Sequence, residues 1–69
     1  MVMMPSPAQP LRYFDVWQLH IHSDVGWVPY VWGQGRIAPR QSYAACLTDM
    51  EFAQFLHPRY AFQCRKTTN

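Results

Sequence analysis

Four phenylalanines, four tyrosines and three tryptophans share a chain of only 69 residues, and this load of rings constrains the fold more than any other feature. Each ring can bury about 150–250 Å². A chain this short hides only about 60% of the surface that its unfolded form exposes. Trp17, Trp27, Trp32, Tyr13, Phe14, Tyr30, Tyr43, Phe52, Phe55, Tyr60 and Phe62 are enough for a small core and more than it can hold. Some rings are therefore expected on the surface, where a contiguous apolar patch marks a contact site.

The remaining composition narrows the class. Residues of the AVILMFWYC set make up 49% and charged residues 14%, the reverse of the low hydrophobicity and high charge of a disordered chain. No apolar run approaches the ~20 residues of a membrane span. The net charge of +2 permits a nucleic-acid partner without the dense basic patch that strong binders carry. The basic residues are Arg12, Arg36, Arg40, Arg59, Arg65 and Lys66. Arginine outnumbers lysine, and arginine forks and stacks where lysine supplies a point charge.

Two cysteines, Cys46 and Cys64, are too few to define a disulfide framework. The start Met1-Val2-Met3-Met4-Pro5 lacks a basic region followed by a long apolar one. A cytoplasmic chain with reduced thiols is expected; a bridge between the two cysteines would reverse that expectation.

Pro5, Pro7 and Pro10 remove donors and fix φ, so residues 1–10 read as a flexible arm. Residues 11–66 read as a single α+β domain, and 67–69 as a polar tail. Tyr13, Trp17, Leu19 and Ile21 alternate with Gln18, His20 and His22, the period of a half-buried strand. Asp15, with Phe14 and Val16 out of phase, suggests a bulge near residue 15. Ser23-Asp24-Val25-Gly26 is turn chemistry, and residues 27–32 read as the return strand of a hairpin. Pro29 cannot donate to a ladder, which places that strand at an edge or a bulge. Gly33-Gln34-Gly35 is the next turn, and Arg36-Ile37-Ala38 a short third strand ended by Pro39.

Residues 42–57 pose a conflict. One helix would turn Tyr43, Cys46, Leu47, Met50 and Ala53 to one side and Phe52, Phe55 and Leu56 nearly opposite, an arrangement poorly suited to a small domain. Splitting the segment removes the conflict: 42–47 as a strand, then a helix from Thr48. Thr48-Asp49-Met50-Glu51 fits a capping box, Phe52, Phe55 and Leu56 become the core stripe, and Pro58 ends the helix at His57. Residues 59–65 alternate again, with Tyr60, Phe62 and Cys64 on one face. The expected fold is a small antiparallel sheet of three to four strands, in the order β-β-β-α-β, with one short helix on one face.

Catalytic chemistry finds little support. Cys46 sits in an apolar run, where a thiol packs rather than attacks. The acids are scattered, and Gly33-x-Gly35 lacks the length and the Gly-Lys-Ser/Thr ending of a phosphate loop. No enzyme and no cofactor are expected. His20-x-His22 places two imidazoles on one strand face, half of a metal site, with His57, Cys46, Cys64, Asp15 or Asp24 as the further ligands available.

The richest local feature is Trp27-x-x-Tyr30-x-Trp32, followed by Arg36 and Arg40. Tyrosine, tryptophan and arginine are the types enriched in interface hot spots. Trp27, Tyr30, Trp32, Arg36 and Arg40 are the expected contact surface for a protein partner, in a binding module of the inhibitor or adaptor kind. Its size and composition are similar to those of small accessory proteins of phages and other mobile elements. Aromatics beside arginines on a strand can also stack bases, so single-stranded nucleic acid is the alternative partner, and a small metal-binding domain built on His20 and His22 the second alternative. Arg59, Arg65 and Lys66 beside Tyr60 and Phe62 form a basic last strand able to pair with a partner's strand if it lies at an edge.

Overall fold

The computed structural model describes residues 16–67. The expectations for the arm 1–10 and for Tyr13–Asp15 lie outside these residues. Five strands and one helix follow in the order β1 (Trp17–Ser23), β2 (Gly26–Pro29), β3 (Val31–Trp32), β4 (Arg36–Ile37), α1 (Tyr43–Leu56) and β5 (Phe62–Lys66), with a 3-10 turn at Gly33–Gly35 between β3 and β4. The fold is α+β: an antiparallel sheet in the order β2-β1-β5, a second two-stranded ladder β3-β4, and one helix. Among the described residues no helix is long and apolar enough to cross a membrane.

The first hairpin closes as its turn residues require. Ser23 Oγ accepts from Val25 N at 3.2 Å and donates to Gly26 O at 2.9 Å. Asp24 and Val25 keep negative φ, and Gly26, at φ 108°, takes the left-handed conformation that reverses the chain at no steric cost to a glycine. Pro29 lies in an edge strand, opposite His20. Tyr30 N donates to Leu19 O at 2.9 Å. In an antiparallel ladder alternate residues turn their backbone groups to the same neighbour, so Pro29 turns its donorless nitrogen away from β1.

The expected second strand, 27–32, is broken at Tyr30. The chain leaves β1 there and folds into the β3-β4 hairpin, whose tip carries Gln34 at φ 65° and Gly35 at φ 76°. It returns with Ala38 N donating to Tyr30 O, and Gln41 then pairs with Trp17 through both backbone groups at 2.8 and 2.9 Å. Gln18 Nε2 ties the return by donating to Ala38 O at 2.7 Å.

The helix differs from expectation. It runs as one piece from Tyr43 to Leu56, capped by Ser42, whose Oγ accepts from Ala45 N at 3.2 Å. Residues 42–47 are not a strand, and Thr48 is no cap: its hydroxyl donates back to Ala44 O within the helix. The inner face holds the small residues Cys46 and Ala53, both buried, with Met50 packed beside them. Small residues let the helix lie close to the sheet, so the larger Phe52, Phe55 and Leu56 are not the core stripe; all three are exposed. The stop at His57, before Pro58, is as expected.

Leu19, Tyr30, Ala38, Cys46, Ala53 and Phe62 form the core, with Trp17, Ile21, Trp32, Met50 and Cys64 packed against it. The cysteines are not reduced. Cys46 on α1 is bridged to Cys64 on β5, with Cα atoms 6.0 Å apart. The core is thus stapled, where the rings alone were expected to suffice. Thr67, expected in the polar tail, donates its N–H and its hydroxyl to Val16 O.

Candidate recognition surface

The β3-β4 hairpin and the outer face of α1 together build an aromatic surface. Trp32 and Arg36 are cross-strand partners. Together with Ile37, Pro39 and Asp49 they line a groove of about 450 Å³. Asp49 is held in place by Gln41 Nε2, which donates to its carboxylate at 2.8 Å. The Trp32 ring is anchored below by Tyr30, edge to face at 4.8 Å, and meets Phe52 of the helix at 6.0 Å with planes tilted by 33°.

Beyond Phe52 the apolar surface continues along α1. Residues three and four apart are neighbours on a helix, so Phe52, Phe55 and Leu56 form one ridge. Phe55 is 81% exposed and Phe52 56%. Leu56 then borders a second hollow, of about 230 Å³, with His57, Pro58, Arg59 and Tyr60. The His57 ring meets Tyr60 at 5.6 Å with planes tilted by 47°, and Tyr30 edge-on at 6.4 Å. An apolar band thus runs from Ile37 through Trp32 and Phe52 to Tyr60, with Arg36 toward one end and Arg59 at the other.

The five expected contact residues divide. Trp32 and Arg36 come together at the groove. Tyr30 is 7% exposed and supports the surface from below, in edge contact with Phe62 at 5.4 Å. Arg40 is half-buried on the segment returning to β1. Trp27 lies on the other face of the sheet, because it pairs with His22 and side chains alternate along β1. There its ring meets His22 at 5.1 Å and the Arg65 guanidinium at 5.8 Å. Phe52, Phe55 and Leu56 were missed as surface residues. Their signal was the second apolar face of the helix, which was removed by dividing the segment.

His20 and His22 share the helix-free face but not an environment. His20 is buried, with Nδ1 2.9 Å from Gln18 O, whereas His22 is exposed against Trp27. The bridge takes up both cysteines as ligands. Among the described residues no three His, Cys, Asp or Glu groups gather where a metal ion could sit.

Comparison with protein-family models, with curated proteins and with solved structures returns no match to the chain.

Proposed function

We propose that the chain acts by binding, without catalysis, as a small inhibitor or adaptor that docks on a larger protein through the band centred on Trp32 and Phe52. The observation that carries this reading is Phe55, a phenyl ring 81% exposed on a regular helix beside two further exposed apolar residues. A soluble surface rarely keeps such a patch unless something covers it. Arg36 and Asp49 at the groove supply charges that can fix the orientation of a partner, while the rings supply the area. The mechanism is occupancy: a competitor for the same partner surface is displaced.

The test is capture of partners with the oxidised chain and with Phe55→Ser and Arg36→Ala as baits. A protein retained by the parent and lost with both variants supports the reading. Partners held equally by all three baits contradict it.

Nucleic acid is a second reading with its own observation, the Arg65 guanidinium over Trp27 on the helix-free face. Stacking of bases there would give affinity falling steeply with salt, and a gel shift at low salt distinguishes it. The compartment also enters here. Against the expected cytoplasmic location with reduced thiols stands the Cys46–Cys64 bridge, which favours an oxidising compartment.

A further inference from the structure

The last strand forms a sheet edge separate from the aromatic band. Strand β5 is an edge of the sheet, paired on one side with β1. His22 N donates to Ala61 O and Thr67 N to Val16 O. With antiparallel alternation, Ala61, Gln63, Arg65 and Thr67 turn their backbone groups to β1. Phe62, Cys64 and Lys66 turn theirs outward, where no strand pairs with them among the described residues. The strand runs for five residues, and the Cys46–Cys64 bridge fixes it to the helix.

Chemistry selects what such an edge accepts. Arg59, Arg65 and Lys66 lie on or beside β5, and no acid follows Glu51 in the chain. On the helix side, Leu47 occupies the flank of α1 turned away from Trp32, given that Cys46 and Ala53 point inward and Phe52 points toward Trp32. Leu47 is exposed. We propose that β5 accepts, as an added strand, an extended segment of another protein that alternates apolar and acidic residues. Its backbone pairs with Phe62, Cys64 and Lys66. Its acidic residues, all on the helix-free face, meet Arg65, and an apolar residue on the helix side meets Leu47. Main-chain pairing gives the affinity in this mode of recognition and the alternating side chains give the specificity. A second copy of this chain fits less well, since it would bring another basic strand to a basic edge.

The test uses the full oxidised chain, isotope-labelled for amide spectra, and two capped hexapeptides, one alternating Val and Glu and the other Val and Lys. The Val-Glu peptide should shift the amides of Phe62, Cys64 and Lys66, slow their exchange and bind about tenfold more tightly than the Val-Lys peptide. Lys66→Pro removes an outward donor without touching the β1 ladder, and should abolish binding. Arg65→Glu should weaken the Val-Glu peptide and strengthen the other, whether or not the proline variant folds. Equal binding of the two peptides would overturn the proposal, as would shifts confined to the Trp32–Phe55 band. So would slow exchange at Cys64 and Lys66 in the free chain, whether as a monomer whose own residues 1–15 fill the edge or as a dimer by sedimentation.

Discussion

Cys46 and Cys64 join the buried face of α1 to the strand beside Leu19, across 18 residues of sequence. Cys64 pairs directly with Leu19, the large side chain at the centre of the core. The bridge therefore closes the contact between helix and sheet beside a fully buried leucine.

Its removal should be costly. In the chain-entropy picture, closing a loop of this length contributes about 3 kcal/mol, a large part of the stability of so small a domain. Cys46→Ala/Cys64→Ala, followed by urea unfolding, should show a midpoint far below that of the oxidised parent, and a reducing agent should shift the parent toward the variant. An unchanged midpoint would mean that the rings hold the core without the bridge.

The position of the helix start is open to a direct mutational check. Ser42→Ala should lower stability by about 1 kcal/mol, because it removes the acceptor of the Ala45 N–H. Thr48→Ala should leave stability the same or slightly higher, since a hydroxyl bonded back to the preceding turn does not cap. The reverse ranking in thermal melts would restore the later helix start.

The two faces of α1 should respond in opposite ways to a change of size. Ala53 is sealed against the sheet, and Ala53→Leu should destabilise by about 1–3 kcal/mol through overpacking. Phe55→Ser removes a far larger group from the outer face and should change stability by no more than about 0.5 kcal/mol. Equal losses at both positions would show that Phe55 is packed.

Much of the strand architecture was legible from the sequence because strands announce themselves locally. The Asp24–Gly26 turn, the edge position of Pro29, the Gly33–Gly35 reversal and the inward phase of Phe62 and Cys64 follow from alternation and turn chemistry within a few residues. The helix stop before Pro58 was legible as well, but its start at Ser42 was not, because a helix from there turns two apolar faces, one of them sealed by a disulfide to a distant strand. Cys46 looked like the inside of a strand until the bridge turned it toward β5, and Thr48-x-x-Glu51 matched a capping box that Ser42 made unnecessary. Part of the site was lost for the same reason: treating Phe52 and Phe55 as core left the surface to the hairpin alone. Trp27 was assigned to that surface before the break at Tyr30 and the pairing with His22 placed it on the far face.

The central claim is that ring side chains on α1 face solvent and form the surface by which the chain acts. A soluble paramagnetic probe, added to the oxidised chain while the ring signals of its phenylalanines are followed, tests it most directly. The account predicts strong relaxation of Phe55, intermediate relaxation of Phe52, and little at Phe62, which is 7% exposed against 81% for Phe55. Phe55 protected to the same degree as Phe62 would contradict it.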